Sequence, residues 1–295
     1  TACLDSGSGE EIWRREDLPC RHYRGPGSSP LLHGDLLVLT MDGVDQQYLV
    51  ALDKHSGETV WKTDRSAEWD DWGPDGLPFN EGDLRKAYST PIVAATSTGE
   101  QLISVGAKAA YAYDPATGDE LWKVAHGGQG VAPRPLYHDD IAFLCTGFGA
   151  TEMLAIRTDA RGLVGESHIA WRSIRGVPQL PSPILHDGAI YLLGDRGVLT
   201  CISEATGEEV WRLRVPGEYV SSPVLAGGRI YCCNTEGVTA VVDLGDLEAA
   251  GEPTIVAENK LDAGFMASPA VVDGDLILRT KTHLYRIHAE PAASP

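Results

Sequence analysis

One spacing recurs along the chain and limits what it can fold into: an Asp or Ser, a Gly four residues later and a Trp eight residues later. It reads Asp5-Gly9-Trp13, Asp53-Gly57-Trp61, Asp114-Gly118-Trp122 and Ser203-Gly207-Trp211, with a degenerate copy ending at Trp171. Short β-type runs precede these turns, as in Tyr48 to Leu52, Ala110 to Tyr113 and Val198 to Ile202. The Asp therefore opens a turn, the Gly supplies a positive φ, and the Trp falls in the returning strand as a core anchor.

A second motif sets the period. A Pro follows a small or basic residue at Ser29-Pro30, Thr90-Pro91, Arg134-Pro135, Ser182-Pro183, Ser222-Pro223 and Ser268-Pro269, at intervals of 61, 44, 48, 40 and 46 residues. Each interval reads strand, turn, strand, short connection, strand, turn, strand. Apolar residues alternate, and no ten-residue stretch carries a 3.6 period, so helical repeats are disfavoured. Four antiparallel strands per unit make one blade of a β-propeller. The 33 Gly and 18 Pro among 295 residues suit short strands joined by tight turns.

The expectation is an all-β chain forming a single propeller domain over 1–295. It holds a partial blade in 1–15, five complete blades in 28–258, a last partial blade in 266–288 and a tail at 289–295. Either the partial blades close a ring of six, or strands are missing upstream. Residues 1–5 are surplus to a closed ring, and the chain opens at Thr1 rather than at a Met with a leader, which favours truncation.

Composition excludes several function classes. With 24 Lys and Arg against 42 Asp and Glu, the net charge of −18 repels phosphate backbones and acidic lipid headgroups, so a nucleic-acid partner is not expected. A hydrophobic share of 43% rules out intrinsic disorder. No run of 18 apolar residues exists to span a bilayer. The six cysteines fit no zinc spacing, and their disulfide status stays open on count alone. Cys232 and Cys233 lie in a strand-like run, Arg229 to Cys233, where neighbours point to opposite faces, so the pair reads as unbonded.

The pattern at residues 50–61, with its cousins at 112–122 and 201–211, resembles the repeat of the PQQ-like β-propellers, which include quinoprotein dehydrogenases and BamB-type outer-membrane assembly lipoproteins. The resemblance covers nearly the whole chain. Segment order, including Phe265-Met266-Ala267-Ser268-Pro269 and Lys281 to Arg286, looks most like the longer PQQ-like repeat proteins of bacterial envelopes. It implies about eight blades in the full-length family, a periplasmic or otherwise extracytoplasmic location, and Trp13, Trp61, Trp122, Trp171 and Trp211 as blade-docking residues. Function does not follow from the fold, because the turn, Gly and Trp dock blades and shape no reactive site.

In a propeller the segments entering each first strand converge on one face around the axis. These segments carry Arg21, Arg24, Arg85, Lys86, Tyr88, His126, Arg134, Arg175 and Tyr219, and Lys281 joins them from a second-to-third-strand connection. On so acidic a chain this is a local inversion of charge, suited to a small anionic ligand or an acidic protein segment. The alternative is that each cation pairs with a nearby carboxylate such as Asp83 or Glu218 and ties loops together. An insertion from Asp64 to Tyr88 follows no repeat rule and holds Trp69 and Trp72. It reads either as an aromatic binding loop or as a cover anchored on a neighbouring blade.

A quinoprotein dehydrogenase would need PQQ and Ca²⁺ held by carboxylate and amide oxygens, a catalytic Asp and an Arg. Asn234, Glu236, Asp195 and Cys232-Cys233 are present, but none aligns with such a ligand set, so no cofactor, metal or catalytic residue is assigned. No GxSxG elbow is present for a hydrolase. The leading expectation is a non-catalytic propeller acting as a binding or protein-interaction scaffold in the cell envelope. The alternatives are a PQQ-dependent alcohol or sugar dehydrogenase or a degenerate relative, and a carbohydrate- or polymer-binding module using Trp69 and Trp72.

Overall fold

The computed structural model describes residues 1–245 and 252–288, so the expected tail at 289–295 lies outside the described residues. The chain clusters into two compact units, residues 1–172 and 173–295. The first unit opens with a hairpin of β1 (Ala2–Leu4) and β2 (Glu11–Arg14). A four-stranded antiparallel sheet follows, of β3 (Leu31–His33), β4 (Leu36–Asp42), β5 (Gln47–Asp53) and β6 (Thr59–Asp64). The next comprises β7 (Ile92–Thr96), β8 (Gly99–Val105), β9 (Ala109–Tyr113) and β10 (Glu120–Ala125). The last holds β11 (Leu136–His138), β12 (Ile141–Cys145), β13 (Met153–Arg157) and β15 (Ile169–Ser173). Between β13 and β15 the short β14 (Gly162–Leu163) crosses to pair in parallel with the outer edge of β10.

In the second unit, β16 (Ile184–His186), β17 (Ala189–Leu193), β18 (Val198–Ser203) and β19 (Glu209–Arg214) form one four-stranded sheet. The second is β20 (Val224–Ala226), β21 (Arg229–Cys233), β22 (Val238–Asp243) and β23 (Thr254–Lys260). A three-stranded sheet of β24 (Ala270–Val272), β25 (Asp275–Arg279) and β26 (Leu284–Ile287) completes the unit. Each four-stranded sheet is a propeller blade ordered by sequence, the arrangement that hairpin-length turns enforce.

Within each unit the core lies between the faces of successive sheets, and strand period two decides which side chain goes where. In β5, Tyr48, Val50 and Leu52 pack with Trp13 and Leu18, while Leu49 and Ala51 pack with Trp61, Leu102 and Tyr111 on the other side. All five are at 0% exposure, so this strand is sealed on both faces. Burial of each of its Val and Leu side chains contributes about 2 kcal/mol.

The turn motif builds the contacts between sheets. The Asp53 carboxylate accepts the backbone N–H groups of His55 and Ser56, Gly57 takes φ 75°, and its N–H closes on the Asp53 carbonyl at 2.8 Å. Asp5 and Asp114 organise their turns in the same way. The indole of the preceding sheet then lies on that Gly. Trp13 donates to the Lys54 carbonyl and Trp61 to the Pro115 carbonyl, both at 3.0 Å. Trp122 differs: it donates to Gln101 Oε1, whose amide nitrogen reaches the Thr158 carbonyl, because β13 runs into Arg157-Thr158-Asp159 with no turn Gly to receive the ring.

Candidate functional site

In the first unit the segments ahead of and between the blades meet in layers. The Val44 N–H donates to the Arg21 carbonyl, Ala87 N–H to Asp42, Gly130 N–H to Lys86 and Tyr88 N–H to Val131. Backbone pairing of this kind fixes the side chains it carries.

The insertion supplies the most developed feature. Residues 71–79 form a tight hairpin, with a bridge between Trp72 and Pro78 and an N–H of Phe79 donating to the Asp71 carbonyl. A short 3₁₀ segment, Phe79–Arg85, follows with Asn80, Glu81 and Gly82 in the left-handed region. Gly82 is required there, since a Cβ would stand 2.3 Å from the Val44 carbonyl oxygen. The segment aims Arg85 inward. Its guanidinium binds the Asp71 carboxylate at 2.6 and 3.1 Å, both side chains being below 10% exposed, and sits 4.2 Å from the Trp72 ring and 5.2 Å from that of Trp69. Charge pairing plus two aromatic contacts lock the cation. The insertion thus keeps Trp69 half-buried and presents Trp72, Leu77 and Phe79, each more than half exposed.

A cavity of about 630 Å³ opens beside this hairpin, lined by Arg21, Val44, Asp45, Trp72, Leu77 and Glu81 among others. Its size falls within the range of small-molecule sites. Arg21 lies 3.6 Å from Glu81 across the rim.

Arg24, Lys86 and Tyr88 form a separate group. The Lys86 ammonium lies 4.9 Å from the Tyr23 ring, which Arg24 also covers at 5.5 Å. Burial and the nearby Arg24 charge hold Lys86 below its ordinary value, while its ammonium pairs with Asp83. Burial pushes the Tyr88 phenol up, and its hydroxyl has no partner among the described residues. His126 is 9% exposed, with Nδ1 accepting from the Gly128 N–H at 3.1 Å. Burial lowers its pKa to about 4, so the ring is neutral at pH 7. Arg134 is exposed just ahead of β11.

The remaining predicted residues lie in the second unit. Arg175 is exposed, and with the closer Arg212 it holds the Glu209 carboxyl below the usual range. Tyr219 is 1% exposed, its hydroxyl donating to the Pro216 carbonyl, and burial raises its pKa. Lys281 lines a shallow 210 Å³ depression with Met266, Ala267, Arg279 and Thr280.

Sequence reasoning missed Arg65 and Asp71. Arg65 is bound to both Asp42 oxygens at 3.0 and 2.8 Å and to the Ser104 hydroxyl at 2.8 Å, with Tyr111 beneath it, and both charged side chains are almost fully enclosed. The Asp42 charge overcomes the cost of burial and holds the Arg65 proton more tightly than usual. The signal for it was an Arg immediately after a Trp-bearing strand, which no repeat rule distinguishes.

The groups needed for PQQ and Ca²⁺ do not fit. The Asp195 oxygens accept the N–H groups of Gln179 and Leu180, and Asn234 Oδ1 accepts those of Glu236 and Val238. Cys232 packs toward β16–β19 and Cys233 toward Phe265 and Leu278, so the neighbours occupy opposite faces of β21, and both thiols are free. Among the described residues no group of three or more His, Cys, Asp or Glu is placed to hold a metal ion.

Residues 1–85, 45–163 and 108–252 each match the profile of the family described as outer membrane protein assembly factor BamB. Among curated proteins, the chain is 24% identical over 199 residues to a tetrathionate hydrolase of Acidithiobacillus ferrooxidans, covering 64% of this chain and 37% of that protein. It is 21% identical over 207 residues to an outer membrane protein assembly factor BamB of Shewanella oneidensis, covering 66% and 49%. The chain thus spans half or less of the curated relatives it matches. Among solved structures, BamB from Moraxella catarrhalis is similar with a TM-score of 0.63 at 16% identity, over 94% of this chain and 72% of that one. A quinohemoprotein alcohol dehydrogenase from Comamonas testosteroni gives 0.66 at 13%, over 94% and 59%. Likeness at these identities is one of fold.

Proposed function

Because the chain belongs to the outer membrane protein assembly factor BamB family, we propose that it is a non-catalytic PQQ-like propeller serving as a binding scaffold in the bacterial cell envelope, with a protein partner engaged at the loops around the Asp64–Tyr88 insertion. One observation carries this reading: Trp72, Leu77 and Phe79, at 53%, 63% and 53% exposure, stand together on a hairpin whose base is locked by the buried Arg85 and Asp71. An apolar group held rigidly in water loses little conformational freedom on binding, which is the economy of an interaction surface. The contacts of Trp13 and Trp61 with the following turns serve as tryptophan docking, holding the face in place. Arg24, with Lys86 and the Tyr88 hydroxyl, offers a second contact for a carboxylate on a partner or a small anion.

The test places a photo-crosslinking residue at Leu77 or Phe79 in living cells, with one at Val210 on the exposed side of β19 as the control. The scaffold reading expects a discrete adduct from the loop positions and background from the control. Ca²⁺-dependent uptake of PQQ with dye-linked oxidation of an alcohol or sugar overturns it in favour of a quinoprotein dehydrogenase.

A further inference from the structure

We propose that the cavity beside Trp72 binds a neutral carbohydrate, one pyranose ring stacking on the indole while its hydroxyls donate to Asp45 and Asp75. The inference rests on the binding reading above and names the ligand class of the same loop.

The platform is the first argument. The Trp72 ring has Arg85 against it at 4.2 Å, and Arg85 is fixed by Asp71, yet the residue remains 53% exposed. An indole with one side braced and the other in water offers a flat, apolar surface of the size of a sugar ring, against which axial C–H groups pack. The brace also argues against a cationic guest on the open side, because the guanidinium already draws on the ring's quadrupole.

The rim is the second. Two guanidiniums line the cavity, and each has a carboxylate beside it, Arg85 with Asp71 and Arg21 with Glu81. Three carboxylates, Asp45, Asp75 and Glu81, line the same space, so its balance is acidic and an anionic guest is disfavoured. Asp45 Oδ1 is engaged by the N–H groups of Arg21 and Gln46, and Asp75 Oδ1 by that of Leu77. The Oδ2 atom of each has no hydrogen-bond partner among the described residues, which leaves it as acceptor capacity for a hydroxyl. A guest with an apolar face and an edge of donors, carrying no charge, is a neutral sugar.

The third is preorganisation. The hairpin bridge from Trp72 to Pro78 and the close seating of Gly82 on Val44 hold both walls before any ligand arrives.

The experiment titrates the folded chain with maltohexaose, cellohexaose and the fully N-acetylated chitohexaose, all neutral, and with citrate and a Lys-rich peptide as competitors, by calorimetry and ligand-observed NMR. The expected result is saturable binding of at least one hexasaccharide. Trp72→Ala weakens it by about tenfold or more, Trp72→Phe retains part of it, and Asp45→Asn with Asp75→Asn weakens it several-fold. Val60→Ala, on an exposed position of β6, leaves it unchanged. Thermal melts confirm that the Trp72 variants stay folded. The proposal is overturned by no response to any of the three saccharides, by binding that survives Trp72→Ala, or by citrate or the peptide occupying the Trp72 cavity instead. Saccharide binding without a crosslinked partner removes the scaffold reading and keeps this one; a crosslinked partner without saccharide binding does the reverse.

Discussion

Trp61 closes over Gly118: its indole nitrogen donates to the Pro115 carbonyl at 3.0 Å, and a Cβ added to Gly118 would lie 2.5 Å from the ring. Gly118 also holds φ 77°, a conformation that L side chains rarely adopt. Gly118→Ala is therefore expected to cost about 2–4 kcal/mol through strain and displacement of the indole. Gly34→Ala, at φ 57° with open space around it, should cost only about 1 kcal/mol. Urea denaturation of the two variants checks the difference, and equal losses would remove the docking role of Trp61.

The Arg65 guanidinium and Asp42 carboxylate form an enclosed pair, with 2% and 1% of their side chains exposed. Asp42→Asn leaves a buried cation short of its counter-charge and should destabilise the chain by about 3–5 kcal/mol. Glu11→Gln breaks the exposed pair with Arg14, which solvent screens, and should leave the denaturation midpoint nearly unchanged. Chemical denaturation midpoints decide this; similar shifts for both would mean that water reaches Arg65.

His126 is neutral in the folded chain, its pKa lowered to about 4 by burial from an unfolded value near 6.5. The unfolded chain therefore binds the extra proton first, so the penalty is absent above about pH 6.5 and grows as the pH falls toward 4. Stability measured at intervals between these values should fall more steeply for the natural chain than for His126→Gln, by a few kcal/mol at the acid end. Parallel profiles would show that His126 is protonated in the fold without cost.

The six cysteines differ in access. Cys145, Cys201, Cys232 and Cys233 are buried, and burial, with help from Asp45 and Asp42, pushes the Cys20 thiol up to about 12. A thiol-reactive disulfide reagent at mildly alkaline pH should label Cys3 rapidly and the others only after denaturation. Peptide mapping reads the outcome, and rapid labelling at Cys232 or Cys233 would contradict their place inside the sheets.

Local chemistry was legible in the sequence. The spacing of Asp53, Gly57 and Trp61 contains its own turn, hydrogen bonds and anchor, so the hairpin could be read from residues close together. The opposite facing of Cys232 and Cys233 followed from strand period alone. Arg65 was not legible, because Asp42, Ser104 and Tyr113 stand 23, 39 and 48 residues away and only the folded sheets bring them to one guanidinium. The insertion was marked by its two Trp residues, but sequence could not tell which is exposed: Trp69 and Trp72 both meet Arg85, and the hairpin geometry decides which ring is also left in water. Trp122 carried the repeat spacing yet takes Gln101 as its partner, since the unit after it lacks the turn Gly.

The parallel pairing of Gly162 and Leu163 with Trp122 and Lys123 has a consequence in time. A ribosome delivers β10 before it delivers β11, β12 and β13, and only then the two residues that cover the outer edge of β10. During that interval the β7–β10 sheet is complete in strand count and still bare along one side, the condition in which a nascent chain attracts stray strands. The covering strand comes from the connection that precedes the final strand of the next blade, so the earlier sheet is sealed only when its successor is nearly made. The order of synthesis thereby ties the sealing of one blade's edge to the making of the next.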